Sequence, residues 1–415
     1  MNYNMINKIL VITTSDFPSG SASAKLLRLI GVGLVERKWR VEFLLQRGQG
    51  NSKDIINHKR FGIEKGIQYK YFGWRIRPKN TILKILDSIF SNIGVLCTMV
   101  TRKIQGNVDI IMVYNHSGIL NFLPLLMSKI LGIYSTAYVS DWLNRKASFP
   151  KWHQQTKWYD FLLRMRIINM WFDGLLMPSH FLYNFYIEKG VIPSKMLILP
   201  TVVELPHMNI QQDIQYQKRK KTRIGFCGKP TWTNGGELLI HIFKKVQEKN
   251  ISTELLIMGD RIDDPNLLPS LKELSRELGI SDNVTFTGMI PYERVSQLLL
   301  TCDILVLPRP SGTFAEAGFP TKLGEYLASE KPVVVTNVGD IPLYLKHEES
   351  AMLSNPGDIE QFAHNLLWLI NNPEKAETIA RNGNNWAKEV LLYNGAAEKL
   401  DVFFNSLVKT NSKIN

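Results

Sequence analysis

Lys322 and Glu325 stand three residues apart, just after a Phe-Pro-Thr turn, in the segment Phe314–Thr336. The apolar run Ile304–Leu307 before the turn has the length of a buried strand. After it, Leu323, Tyr326 and Leu327 recur at i, i+3 and i+4, the spacing of a helix that buries one face. The order is strand, Pro/Gly-containing loop, then a helix starting near Pro320–Thr321. The first N–H groups of a helix have no partner inside it, and with the helix dipole they can hold a phosphate. Gly318 would let the backbone approach such a group closely. Glu325, one turn in, is placed to accept hydrogen bonds from a ribose diol. The same two side chains also fit an exposed i,i+3 ion pair, worth a few tenths of a kcal/mol.

Other chemistries lack their residues. No G-x-G-x-x-G follows the first strand, since Gly31-Val32-Gly33 falls inside a helical pattern without a third glycine. There is no P-loop, no G-x-S-x-G elbow, and no H-x-x-x-H or C-x-x-C pair to suggest zinc. Cys97, Cys227 and Cys302 are odd in number and far apart, which excludes a disulfide framework and points to a reducing compartment.

Strand-like runs alternate with amphipathic stretches along all 415 residues. The expected strands are Lys8–Ile12, Val41–Leu45, Ile110–Val113, Thr136–Val139 and Gly174–Met177, then Arg223–Cys227, Glu254–Met258, Val284–Thr287, Ile304–Leu307 and Val333–Thr336. Expected helices include Lys25–Arg37, Gly236–Lys249, Pro269–Leu278 and Pro291–Thr301. Short buried strands alternating with helices mean parallel sheets covered on both faces. The fold class is therefore α/β, with two Rossmann-like domains whose sheets face each other across a cleft. The expected boundaries are 1–206 for the first domain, 207–221 for a Gln-rich linker ending in Lys218–Lys221, and 222–385 for the second. Helices over 386–415 are expected to pack back on the first domain. Ligands of such sheets bind at the carboxyl ends of the strands.

The stretch Phe319-Pro-Thr-Lys-Leu-Gly-Glu-Tyr-Leu-Ala328 resembles the E-x7-E region of family-four retaining nucleotide-sugar glycosyltransferases, which have the GT-B fold. In particular it looks like the variant seen in bacterial polysaccharide enzymes. Three further segments follow the family's order: Ile224-Gly-Phe-Cys-Gly-Lys229, Leu255-Leu-Ile-Met-Gly-Asp260, and Val284-Thr-Phe-Thr-Gly288 leading into Val295–Pro308. The resemblance covers about residues 222–345 well and the first half only in outline. It implies transfer of a sugar, with retention, from a nucleoside diphosphate, most simply UDP, to a saccharide or lipid-linked saccharide.

Carried over by position, Glu325 matches the ribose-binding acid, and Gly318, Phe319, Pro320, Thr321, Lys322 and Leu323 match the loop that holds the diphosphate. Lys229 matches a phosphate-neutralising arginine, and Gly259 matches the glycine after the second strand. Two positions depart from the pattern. The first acid of the motif is replaced by Ala317, with Glu316 one place early, and the second cation is replaced by Asn234. Lys322 can supply that missing charge. In the first half, Gly20 and Ser21 occupy the loop that the family places over sugar and phosphate. Asp141 follows a strand end and would either orient a sugar or acceptor hydroxyl or cap a helix. His116 either lines the acceptor side or is a loop residue. The cations and helix amides would stabilise the departing diphosphate, so no cofactor and no essential metal are expected. Asp263-Asp264 reads as a turn before Pro265.

Charge is uneven. The first 210 residues hold 27 Lys+Arg against 12 Asp+Glu, and the rest hold 23 against 25. Such a half meets an anionic partner. Tyr69–Arg77 and Lys151–Tyr159 mix cations with rings, and Tyr159–Phe172 continues as an apolar helix with Arg164 and Arg166. That make-up suits an anionic membrane surface, at about 1 kcal/mol per engaged cation. It also suits single-stranded nucleic acid, or a core helix with a solvated basic face. The membrane is the expected partner, with Trp74, Trp152 and Trp158 among the cations, and nucleic acid is not expected. No signal peptide is read at the start, and Thr81–Val100 is broken by Lys84, Asp87, Ser88, Ser91 and Asn92. A cytoplasmic enzyme, peripheral on the inner face of the cell membrane, is expected. The competing readings are a nucleotide-sugar epimerase of the same fold and a basic nucleic-acid-binding protein.

Overall fold

The computed structural model describes residues 7–18, 20, 22–48, 59–115, 117–140, 142–143, 155–205, 221–260 and 264–411. The chain forms two units, Met1–Val202 with Tyr393–Asn415, and Val203–Leu392. Strands of the first unit are β1 (Lys8–Thr13), β2 (Arg40–Leu45), β3 (Phe61–Glu64), β4 (Ile67–Tyr71), β5 (Ile110–Tyr114), β6 (Tyr134–Tyr138), β7 (Gly174–Met177) and β8 (Met196–Ile198). They form one sheet in the order β3-β4-β2-β1-β5-β6-β7-β8, parallel throughout except for the β3–β4 hairpin. Ile110–Val113 are wholly buried, as a parallel strand covered on both faces requires.

The second unit has β9 (Thr222–Cys227), β10 (Thr253–Met258), β11 (Val284–Phe286), β12 (Ile304–Leu307), β13 (Val333–Thr336) and β14 (Met352–Ser354). All are parallel, in the order β11-β10-β9-β12-β13-β14. The chain runs outward from β9 to β11 and then crosses to β12 on the other side of β9. The switch point of this sheet therefore lies between β9 and β12.

Strands and helices read from apolar runs fall within a few residues of those observed, and helix Gly236–Lys249 has the expected bounds. The β3–β4 hairpin is an addition to the expected strands, and the end of its second strand lies in the basic-aromatic segment Tyr69–Arg77. Tyr69 and Tyr71 alternate inward along β4 with period two, and the Tyr69 ring lies 5.3 Å from that of Phe17. Only Trp74 of that segment keeps a half-exposed ring, at 44%. In the other segment, residues 151–154, with Trp152, lie outside those described, and Trp158 stacks on Phe161 at 5.3 Å. Arg164 is not on a solvated face. It is 1% exposed, and its Nη1 donates to the Asn115 carbonyl at 2.8 Å.

Helix Thr81–Ile104 corrects a second expectation. Among the described residues it is the one helix long and apolar enough, by length and composition, to cross a membrane. The polar residues that seemed to break it lie on the side facing the first unit, where Asp87, Ser91 and Asn92 are buried.

The expected linker 207–221 lies, apart from Lys221, outside the described residues. The chain returns to the first unit at Tyr393 rather than near residue 386, because Ala387 and Leu391 belong to the second unit's core. Helix Tyr393–Asn411 then packs along helix Ala22–Glu36. Its Asp401 accepts from Trp39 Nε1 at 2.9 Å and from Arg37 Nε at 3.2 Å. The two helices meet at Gly33, where a Cβ would stand 2.6 Å from Ala397 Cβ and 2.9 Å from the Tyr393 carbonyl. Gly33→Val should therefore destabilise the first unit by about 1–3 kcal/mol, the usual cost of overpacking. Urea unfolding followed by tryptophan emission reads this, and an unchanged midpoint would mean that the helices do not pack there.

Candidate functional site

The site of the second unit forms where its sheet opens. The β9–β12 ladder pairs only Ile224 with Ile304 and Gly225 with Leu305. Beyond that point the two strand ends diverge, and Tyr326 of helix Thr321–Ala328 fills the gap. Its hydroxyl accepts from the Cys227 N–H at 2.7 Å and donates to the Cys227 carbonyl at 3.2 Å. One side chain thus takes both ladder bonds that β12 does not make at Cys227. Burial pushes the Tyr326 phenol well above the ordinary tyrosine value, so it stays protonated and keeps donating. Leu323, Tyr326 and Leu327 are 0–1% exposed. Together they fix the start of this helix beside the carboxyl ends of β9 and β12.

Lys322 lies across Gly228, the residue after β9. Any side chain on Gly228, whose φ is +133°, would take the space that Lys322 Cε and Nζ fill. Gly259, after β10 at φ +117°, is equally constrained, since a Cβ there would stand 2.6 Å from the Gly228 carbonyl. The Lys322 ammonium sits 5.6 Å from the centre of the Phe226 ring. Burial first, then the nearby charges of Arg309 and Lys229, push the ammonium down to about 8, against the opposite pulls of Cys227 and, less strongly, Glu325. Lys322, Lys229, Arg309 and Glu325 thus share one electrostatic neighbourhood, and an i,i+3 ion pair on a solvated face does not describe it.

Arg309 was not found by sequence reasoning. It is 4% exposed, two residues after β12, with its guanidinium 5.1 Å from the centre of the Phe314 ring. The available signal was a cation at the end of an apolar strand beside the switch point. Lys229 is exposed at the rim. Asn234 supplies no charge, and its Nδ2 closes the loop by donating to the Lys229 carbonyl at 2.9 Å.

The turn before the helix is held from beneath. Phe319 is buried, with its ring 5.7 Å from Tyr344 and 6.2 Å from Trp386. Leu323 is wholly buried, and its N–H donates to the Pro320 carbonyl at 3.0 Å. These two residues anchor the turn with side chains that lie in the core rather than on its ligand side. Pro320, at the N-cap, and Thr321 are half-buried, and no side chain caps the helix start. Gly318 differs from the other glycines here. Its backbone is extended, at φ −124° and ψ 140°, and a Cβ would meet only the Phe314 carbonyl, at 3.8 Å. Neither strain nor packing within the protein demands a glycine there. Glu316 is exposed on the short helix Thr313–Ala317, whereas Ala317 is wholly buried, so the motif's first-acid position has no room for a carboxylate.

In the first unit, Ser21, His116 and Asp141 lie outside the described residues. Gly20 is exposed at φ +153°, and a Cβ there would stand 2.8 Å from Asp16 Cβ. At the carboxyl ends of β1, β2 and β5 the structure adds a polar chain that the sequence did not reveal. The Thr14 N–H donates to Asn115 Oδ1 at 2.7 Å, Asn115 Nδ2 to Gln46 Oε1 at 2.9 Å, and Gln46 Nε2 to Asn92 Oδ1 at 2.9 Å. No group of three or more His, Cys, Asp or Glu able to hold a metal occurs among the described residues.

Residues 209–386, nearly the whole second unit, match the family model described as glycosyl transferases group 1. An uncharacterized glycosyltransferase of Methanocaldococcus jannaschii is 26% identical over 194 residues, 44% of this chain and 47% of that protein. The mannosylfructose-phosphate synthase of Agrobacterium fabrum is 26% identical over 191 residues, 43% of this chain and 41% of that one. The chain thus spans about half the length of the curated relatives it matches. Two solved structures match over almost the entire chain. Anabaena HepE in complex with UDP has a TM-score of 0.70 at 16% identity, covering 96% of this chain and 100% of that one. Sucrose-phosphate synthase of Thermosynechococcus elongatus has 0.72 at 13%, covering 97% and 100%. The fold is that of the GT-B glycosyltransferases.

Two outcomes test this geometry. Tyr326→Phe removes both hydrogen bonds of the hydroxyl to the Cys227 backbone and should cost about 1–3 kcal/mol in chemical denaturation; a loss near zero would mean that the sheet opening does not depend on the hydroxyl. For Lys322, the folded state gives up its proton near pH 8 and the unfolded chain near 10.5. Between those values the unfolded state holds more protons, so stability rises with pH across that window. Lys322→Met should flatten the rise, and an identical pH profile in both proteins would place the ammonium in water.

Proposed function

We propose that this chain transfers a glycosyl group, with retention, from a nucleoside diphosphate sugar to a saccharide or lipid-linked saccharide. The observation that carries the reading is the clustering of Lys322, Arg309 and Lys229 around an uncapped helix start, next to a Gly318 that nothing in the protein itself requires. A diphosphate suits such a site, because its oxygens accept from backbone N–H groups and neutralise crowded cations. Glu325, one turn in, then accepts from the ribose diol. UDP is the nucleotide we favour, since Anabaena HepE, which is similar in fold, has been solved in complex with UDP and with UDP-glucose.

The hard step is breaking the bond between the anomeric carbon and the diphosphate oxygen, whose electron pair leaves with the diphosphate. Preorganised cations and amides lower that barrier by stabilising charge as it develops. Lys322 and Arg309 are held by packing and need little reorganisation, so we propose turnover without an essential divalent ion. Persistence of activity in excess chelator checks this, and a complete, metal-reversible loss would refute it. Gly20 and Ser21 are proposed over the donor, and Asp141 and His116 on the acceptor side.

Calorimetric titration with UDP-sugars tests the donor site. Glu325→Ala should weaken binding about 10- to 100-fold, the loss of a charged hydrogen-bond acceptor. Gly318→Ala should leave the unfolding midpoint unchanged yet lower affinity, because its methyl group would stand where the diphosphate approaches. Lys322→Ala should lower kcat and kcat/KM together, as loss of a transition-state contact does. Full affinity in both the Glu325 and Gly318 variants would remove the donor from this site. Acceptor-independent release of an epimerised sugar would turn the reading to an epimerase.

A further inference from the structure

Up to Asn92, helix Thr81–Ile104 is amphipathic in the reverse of the usual sense, and beyond it Val95 and Met99 are buried in the ordinary way. In that first part its polar side chains face the protein. Asp87 Oδ1 accepts from the Trp74 N–H at 2.6 Å, Ser91 Oγ donates to the Gln46 carbonyl at 2.6 Å, and Asn92 Oδ1 accepts from Gln46 Nε2 at 2.9 Å. Its apolar side chains face outward: Ile82, Ile85, Leu86, Ile89, Phe90 and Ile93 are 39–67% exposed. A helix on a water-facing surface buries its apolar stripe and exposes its polar one. Only 28% of this helix's most apolar stretch is buried in the protein.

The neighbouring helix Gly118–Leu131 buries Leu120 and Leu125 but also carries apolar side chains on its outer side. Asn121 and Ser128 are buried, while Ile119, Leu126 and Ile130 are 45–69% exposed. It packs beside helix Thr81–Ile104 and next to Ile168–Trp171, where Trp171 is 55% exposed. The apolar surface therefore extends over consecutive elements of one unit, far beyond the scattered exposed residues that need no explanation. Charge points to what covers it. Arg77 and Lys79 are exposed just before the helix, and Asp87 is the only acid within it and is buried. Helix Gly118–Leu131 has no acid at all.

We infer that this face lies in the interfacial layer of an anionic lipid bilayer, with helix Thr81–Ile104 parallel to the membrane and its flanking cations at headgroup level. The helix does not cross the bilayer, because Asp87, Ser91 and Asn92 hold it to the unit by buried hydrogen bonds. The inference is independent of the transferase reading, since it concerns binding without any donor. It also takes the rings Tyr69, Tyr71 and Trp158 out of the docking surface, since the two tyrosines are buried and Trp158 stacks on Phe161.

Cys97 reports on this face directly, because it is exposed there while Cys227 and Cys302 are buried. A polarity-sensitive dye on Cys97 should shift to the blue with vesicles of 30% phosphatidylglycerol in phosphatidylcholine, and much less with phosphatidylcholine alone. In co-sedimentation, the triple variant Ile85→Ser, Ile89→Ser, Phe90→Ser should bind the anionic vesicles at least tenfold more weakly with an unchanged unfolding midpoint. Arg77→Glu with Lys79→Glu should reduce the preference for anionic vesicles. Triple-variant binding equal to wild type overturns the inference. So does a wild-type dimer that ignores vesicles and is broken by the triple variant, which would make a second copy of the chain the occupant.

Discussion

In the second unit, one hydroxyl group joins the open sheet to the helix beside it. Parallel strands β9 and β12 part after two paired residues, and a parting sheet leaves buried N–H and carbonyl groups that cannot reach water. Tyr326 takes both such groups of Cys227. Because the donor and acceptor are a single atom on helix Thr321–Ala328, satisfying the backbone also fixes the helix. The opening at the switch point, where open α/β sheets bind ligands, and the position of the helix start are thus one structural event.

The cations follow from that placement. With the helix fixed, Lys322 lies over Gly228, whose φ of +133° suits a residue without a side chain. Arg309 arrives from the end of β12, on the other side of the opening. Like charges brought together and partly withdrawn from water are a cost to the empty protein, visible in the lowered Lys322 value. The diphosphate we propose here would remove that cost.

The fold was legible because buried parallel strands are written as short apolar runs, and ten of them fall where the sheets have strands. The β3–β4 hairpin escaped because Tyr69 and Tyr71 look like a surface mixture until their alternation with Lys70 is weighed. The helix start at Pro320–Thr321 could be read from local spacing, and Lys322 was assigned to the site from the missing cation at Asn234. Arg309 and the Tyr326 hydroxyl could not be read in the same way, since each acts on a strand distant in sequence. Helix Thr81–Ile104 misled for another reason. Its polar residues looked like interruptions of an apolar segment, whereas they are the contacts that seat it on Gln46, at the end of β2.

The central claim is that a diphosphate binds against Lys322. An ammonium poised near 8 must become fully protonated when an anion settles beside it, so binding near that pH takes up a proton. Calorimetry of UDP binding at pH 8, in two buffers with different ionisation heats, measures the uptake. The account predicts a fraction of a proton absorbed by the wild-type protein and none by Lys322→Met. UDP binding to the wild type without proton uptake, or with the same uptake in the variant, would contradict it.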